Sequence, residues 1–188
     1  MNPSYLLVLL GVAMVSYSGP LVKVGLNFGA NPASIAMMRM ALSAAILLPI
    51  MCFRRKGQSE APIVSLKRMT VKQWLWSVLA SAFLALHYLT WMTSLDATST
   101  CPSVALVCTQ PLFVAALSGI LLHEPIKREA IPGAIVAIIG AALIALLSMT
   151  GEHGSLLGDM LALVGAVFIA GHWLCGRAAR RNLPAIGY

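Results

Sequence analysis

One cation lies inside a long apolar segment, where a charge needs a physical reason. Arg39 follows Ser34, the start of that segment, by five residues, which is about 7–8 Å at helical rise. An Arg at the centre of a membrane helix costs roughly 2.5–3.5 kcal/mol on insertion scales. At this depth two interpretations are open: the side chain has a structural role or snorkels to the nearer membrane surface, or it contacts a substrate or a gate.

A second candidate is the polar face formed by His87, Trp91 and Ser94, which follow at i, i+4 and i+7. This spacing places them on one side of a helix. Histidine titrates near neutral pH, so His87 in a cavity would suit proton coupling. The alternative is a hydrogen-bonded core His, with Trp91 as a packing residue or part of the aromatic belt at the membrane surface.

Pro20 and Pro111 each predict an interruption in an apolar segment. Pro20 cannot donate a hydrogen bond to the carbonyl of Ser16, so the helix is expected to bend there. Broken helices present polar groups to the cavity of many transporters, which makes Tyr17 and Ser18 predicted substrate-binding residues. A kink that serves packing alone is the alternative.

Gln110 precedes Pro111 near the middle of another apolar segment. At that depth its amide is either a ligand donor or part of an interhelical hydrogen bond worth about 1 kcal/mol. Both interpretations remain compatible with the sequence.

The sequence contains no strong motif for catalysis or metal binding. His123 and Glu124 would need a His at position 127 to form HExxH, and Lys127 occupies it. Glu124 is expected to pair with the adjacent cations at a turn. There is no CxxC pair and no phosphate-binding GxxxxGK[ST] loop, so we expect no cofactor, no metal and no enzymatic activity.

These residues must be positioned by membrane helices, because the composition leaves no other class. Apolar residues make up 59% of the 188 residues and charged residues 10%, and the mean hydropathy is +0.86. Soluble domains carry about 25% charged residues. The sequence predicts an all-α integral membrane protein, a polytopic bundle of about six transmembrane helices. The predicted spans are Tyr5–Val24, Ser34–Phe53, Trp74–Ser94, Pro102–Leu122, Ala130–Met149 and Leu156–Cys175.

The distribution of Lys and Arg predicts the orientation of these spans. Eleven of the thirteen cations fall in the connections after the second and fourth segments or in the tail after the sixth. Only Lys23 falls on the opposite side. Because cytoplasmic loops are enriched in Lys and Arg, we expect a multi-pass protein of the cytoplasmic membrane with its N-terminus in the cytoplasm. The net charge of +7 is thereby explained by topology, and no nucleic-acid partner is expected.

The first and last apolar segments share a weak pattern. Gly11–Lys23 and Gly165–Arg177 each begin with Gly, pass through small and aromatic residues and end with a cation. Because four segments lie between them, the two copies would run in opposite directions, as in inverted-repeat transporters. His172 and Trp173 lie near the depth that matches Tyr17 and are predicted to bind substrate. The fifth segment carries small residues at helical spacing that predict a face for close helix packing: Ala130, Ala134, Ala137, Ala141 and Ala145, with Gly133 and Gly140 adjacent.

Residues 85–145 resemble the EamA-type transporters of the drug/metabolite transporter superfamily. Within this range the resemblance rests on Pro111, Glu124, Gly133 and Gly140. Earlier in the chain, the spacing of Pro32 and Arg39 also matches. The family often carries Arg at the position of Arg39. It implies two inverted repeats of five helices, of which this chain is expected to contain the first over residues 5–149. Residues 156–188 would then be the first helix of a truncated second repeat.

The leading functional expectation is a secondary transporter that exports small metabolites or amino acids. Its partners would be a small-molecule substrate and the lipid bilayer, with self-association or the missing helices of a second repeat completing the pathway. The alternatives are a non-transporting partner subunit or inactive fragment and, less favoured, a membrane-embedded transferase. A transferase should gather carboxylates or His pairs at one membrane face, whereas the acidic residues here are expected to be scattered among loops.

Overall fold

The computed structural model describes residues 3–52, 69–122, 129, 131–149 and 155–180, and these are helical apart from short connections. Glu124 and the charges beside it lie outside the described residues, so their pairing stays a prediction. The helices of the described ranges are α1 (Pro3–Ser16), α2 (Ser18–Asn27), α3 (Pro32–Cys52), α4 (Val71–Ala97), α5 (Thr100–Val107), α6 (Gln110–Leu122), α7 (Ile131–Met149) and α8 (Leu156–Ala179).

Both predicted interruptions are present, and each lies two or three residues before its proline. The break between α1 and α2 is at Tyr17, because Pro20 has no N–H for the carbonyl of Ser16. The break between α5 and α6 spans residues 108–109, because Pro111 leaves the carbonyl of Val107 without its donor. The first and fourth spans are therefore each built from two helices.

Five stretches are long and apolar enough to cross a membrane: Val8–Asn27, Pro32–Ile50, Val71–Ala97, Thr100–Gly119 and Leu156–Ala179. The remaining predicted span, at Ala130–Met149, forms α7, whose apolar part at Ile131–Ile144 is shorter. Large apolar side chains on α1, α3 and α7 are exposed, as expected for lipid-facing surfaces. The chain is a polytopic helical membrane protein.

The most extensive helix contact joins α4 to α8. Hydrogen bonds join His172 to Ala80, His87 to Gly165 and Thr98 to Asp159. Residue numbers rise along α4 as they fall along α8, so the two helices are antiparallel. An antiparallel pair needs an even number of crossings between its members, which α5–α6 and α7 provide as two.

Small residues on α8 allow this close approach. Gly158, Ala162, Gly165, Ala166 and Ala170 are all buried. A Cβ atom built at Gly158 would lie 2.7 Å from Cβ of Thr98, and one built at Gly171 would lie 3.2 Å from the ring of Phe83. By contrast, no described atom lies within 4 Å of a Cβ built at Gly133 or Gly140. On the small face predicted for α7, Ala134, Ala137 and Ala141 are half-buried and Ala141 packs against the core, whereas the closest approach made by a glycine is that of Gly158 on α8.

We expect Gly158→Ala to lower the stability of the bundle. The new methyl group overlaps Thr98, including its backbone N at 3.1 Å, and forced repacking of this kind destabilises proteins by about 1–3 kcal/mol. Thermal unfolding of the purified protein in detergent measures the effect as a lower midpoint. Gly133→Ala is the matched control because its methyl group enters open space. Equal midpoints for the two variants would contradict the tight α4–α8 interface.

Candidate functional site

Arg39 extends from α3 into the bundle and contacts α2 and α4. Its Nη1 donates a hydrogen bond to Oγ of Ser18 at 2.6 Å. Its Cζ lies 5.0 Å from the ring centroid of Tyr88 and 5.9 Å from that of Trp91, within the range of cation–π attraction. This inward packing argues against snorkelling towards the membrane surface, and both a structural role and a substrate-related role remain compatible with it.

No carboxylate forms an ion pair with Arg39 in the part of the chain that the structure describes. A guanidinium group has five N–H donors, and the only hydrogen bond described for this one is to the hydroxyl group of Ser18. The charge is half-buried and offset by aromatic faces and a hydroxyl group. It can therefore still accept an anionic partner.

His87 fixes the orientation of the aromatic residues beside Arg39. Its Nδ1 lies 2.8 Å from the carbonyl oxygen of Gly165, so Nδ1 carries the proton and donates. The imidazole stacks on Trp91 with ring centroids 5.8 Å apart and 13° between the ring planes. Because His87 is buried and bonded to backbone, the structure matches a hydrogen-bonded core His. A part in proton coupling stays a prediction.

Trp91 carries an unsatisfied hydrogen-bond donor. Its side chain is buried, and its Nε1 has no hydrogen-bond partner. An unpaired buried donor costs about 1–3 kcal/mol of desolvation. Ser94, the third member of the predicted face, instead shares a buried hydrogen bond of 2.8 Å with Ser103 of α5.

A second group of polar residues lies about two helical turns from His87, towards the N-terminal end of α4. His172 donates from Nδ1 to the carbonyl oxygen of Ala80 at 2.9 Å. Beside it is a cavity of about 440 Å³. The cavity is lined by α6 and the C-terminal end of α8: Val114, His172, Trp173, Leu174, Gly176, Arg177 and Arg180.

The structure thus brings together Ser18, Arg39, His87 and Trp91, and it places His172 and Trp173 at a separate cavity. Tyr17 lies at the break between α1 and α2 and is 69% exposed. Gln110 is half-buried at the start of α6. Neither side chain takes part in the polar contacts described for the two groups, and their substrate-binding role stays a prediction.

Sequence reasoning missed a series of linked hydrogen bonds at the end of α4. Lys23 donates from Nζ to the carbonyl oxygens of Leu95 and Thr98, where a cation also complements the helix dipole. Thr98 donates from Oγ1 to Oδ1 of Asp159 at 3.2 Å. Asp159 was expected among loop acids, but it lies in the first turn of α8 and is 2% exposed. Its Oδ2 has no partner.

The model of one protein family matches the chain. It is described as the EamA-like transporter family, and the match covers residues 2–146. The matched region contains Ser18, Arg39, His87 and Trp91, whereas α8 lies beyond it. No match was found among curated proteins or among solved structures.

We expect Thr98→Val to destabilise the protein by leaving the Asp159 carboxylate without its described donor. Loss of one partner of a buried charged group costs about 1–3 kcal/mol or more. Because removing both partners costs less than removing one, Thr98→Val combined with Asp159→Leu should recover part of the loss. Thermal unfolding in detergent measures both effects.

Thr93→Val is the matched control, since Thr93 is exposed on α4 and its hydroxyl bonds only within its own helix. If Thr98→Val and Thr93→Val unfold at the same temperature, the Thr98–Asp159 hydrogen bond contributes no stability.

Proposed function

The chain belongs to the EamA-like transporter family, and on that basis we propose that it is a secondary transporter of the cell membrane that exports small metabolites or amino acids. The family lies in the drug/metabolite transporter superfamily, and its members are transporters rather than enzymes. The export direction and the solute classes are our proposal.

The observation that carries the proposal is a polar cluster enclosed by apolar helices. Ser18, Arg39, His87 and Trp91 come from α2, α3 and α4, and Gly165 of α8 holds the imidazole in place. Polar and ionisable groups inside a membrane are expensive and commonly mark substrate pathways. Many transporters form such sites beside interrupted helices, and α2 begins at the interruption at Tyr17.

Two levels of polar groups suit a path across the membrane. The Arg39 cluster lies at one level of the α4–α8 pair, and the cavity beside His172 lies at the other. The sequence has no phosphate-binding loop for ATP. We infer that an ion gradient or the concentration difference of the solute drives transport.

We further propose that the N-terminus is cytoplasmic and that α8 runs back to the cytoplasm. The clustering of eleven Lys and Arg residues in alternate connections supports this orientation. The antiparallel arrangement of α4 and α8 agrees with this orientation, because the orientation requires two crossings between them, and α5–α6 and α7 provide these two. We also propose that residues 5–149 form one five-helix repeat, with α8 as the first helix of another.

Tyr17→Ala tests the transport function. Cells producing the protein should accumulate particular solutes in the medium, measured by mass spectrometry against cells without it. We expect the substitution to abolish this release without changing the amount of protein in the membrane, because Tyr17 lies at the helix interruption.

Tyr5→Ala is the control, since Tyr5 is 67% exposed and Tyr17 is 69% exposed, while Tyr5 lies away from the interruption. Release that is unaffected by Tyr17→Ala would remove this residue from the pathway. If the protein changes the external level of no solute, the export proposal is wrong.

His87→Gln tests proton coupling. Glutamine can still donate to the carbonyl of Gly165 but does not titrate. We therefore expect the pH dependence of solute release between about pH 5 and 8 to flatten. His153→Gln, in the connection between α7 and α8, is the control substitution. A pH profile identical to that of the unmodified protein would assign His87 to packing alone.

A further inference from the structure

We propose that Arg39 and Trp91 together bind the carboxylate group of the transported solute. The solute class is therefore organic carboxylates, including amino acids. This inference rests on the transport function proposed above and adds a recognition chemistry to it.

The first observation is the state of the Arg39 guanidinium. It is half-buried, its described contacts are one hydroxyl group and two aromatic rings, and no carboxylate pairs with it among the described residues. Guanidinium groups bind carboxylates through two parallel hydrogen bonds, and such bonds are about twice as strong as neutral ones. An incoming carboxylate would supply the anion that the bundle does not.

The second observation is independent and comes from Trp91. The side chain is 9% exposed, and Nε1 is buried without a partner. An indole N–H can only donate, so the missing partner must be an acceptor. The same ring lies 5.9 Å from Cζ of Arg39, so the two donor-bearing side chains are neighbours. A carboxylate accepts about four hydrogen bonds and can serve both groups at once.

Among the described residues, no acceptor bonds to Nε1 of Trp91. The carbonyl oxygen of Gly165 accepts from His87. Asp159 accepts through Oδ1 from Thr98, which follows Trp91 by seven residues at the end of α4, and its unpaired Oδ2 does not bond to the indole. The orientation of Trp91 is held by stacking on His87, so its N–H is positioned before a ligand arrives. Such preorganisation reduces the entropy lost on binding.

Charge at the second level agrees with an anionic group on the solute. Arg177 and Arg180 line the cavity beside His172, and no acidic side chain of the described residues lines it. A solute whose charged group is a carboxylate would meet guanidinium groups at both levels of the α4–α8 pair. A purely cationic solute would meet the like charge of Arg39.

Binding to the purified full chain in detergent tests the proposal without requiring transport. The probes are L-amino acids and short monocarboxylic acids, each paired with its own primary amide, which keeps the shape but lacks the negative charge. Binding is measured by the shift in thermal unfolding and by calorimetric titration. We expect at least one carboxylate to bind and its amide to bind roughly tenfold or more weakly.

Substitutions separate the two donor groups. Arg39→Gln should weaken carboxylate binding roughly 10- to 100-fold, and Arg39→Lys should weaken it less because charge remains without the planar fork. Trp91→Phe keeps an aromatic ring but removes the N–H, and we expect roughly five- to tenfold weaker binding. Trp74→Phe and Lys72→Gln are the controls, since both residues are exposed near the start of α4.

The proposal is overturned if no carboxylate in the set binds, if the amides bind equally well, or if Arg39→Gln leaves affinity unchanged. Trp91→Phe keeps the test valid if the Arg39 variants do not fold. Carboxylate binding without any solute release by cells would support the site and contradict the transport function. Solute release that is limited to compounds without a carboxylate would support the transport function and contradict the carboxylate site.

Discussion

Small residues on α8 let its backbone lie close against α4, and the polar groups of the bundle depend on that contact. Gly165 brings its carbonyl within 2.8 Å of His87 Nδ1. The imidazole then holds Trp91 by stacking, and Trp91 forms part of the surface under Arg39. A Cβ at position 165 would lie 3.1 Å from Oγ1 of Thr90, so a larger residue would push the helices apart. One backbone distance thus sets the geometry of several side chains.

At one end of the same helix pair, where α4 ends and α8 begins, charged groups add to the close contact of Gly158 with Thr98. Lys23 reaches across from α2 to the carbonyl groups at the C-terminal end of α4, which lack donors within their own helix. Asp159 lies in the first turn of α8, where the helix dipole favours a negative charge. Thr98 connects the two, since its carbonyl accepts from Lys23 and its hydroxyl donates to Asp159. Hydrogen bonds formed where little water competes are stronger than those at an exposed surface.

Composition and proline positions were sufficient to predict the helices, because both act locally along the chain. The helical class and the interruptions before Pro20 and Pro111 follow from backbone chemistry. The i, i+4 spacing of His87 and Trp91 also predicted that they share one helix face, where their rings stack. Which face of α3 meets α4 depends on tertiary packing, so the contact of Arg39 with Tyr88 could not be read from spacing. For the same reason the small face predicted on α7 did not reveal that close glycine contacts lie on α8, at Gly158, Gly165 and Gly171.

The interruption at Tyr17 divides the first span into two parts with different mechanical properties. The C-terminal part, α2, is anchored by Gly19 against Val104 and by Lys23 against the end of α4. The described side chains of α1 are exposed, and a Cβ built at Gly11 would meet nothing within 4 Å. Torque on α1 from the surrounding lipid would therefore be absorbed at Tyr17 as a change of angle before it reached Ser18 and Arg39. A change of membrane thickness would then be expected to tilt α1 while the contact between Ser18 and Arg39 is kept.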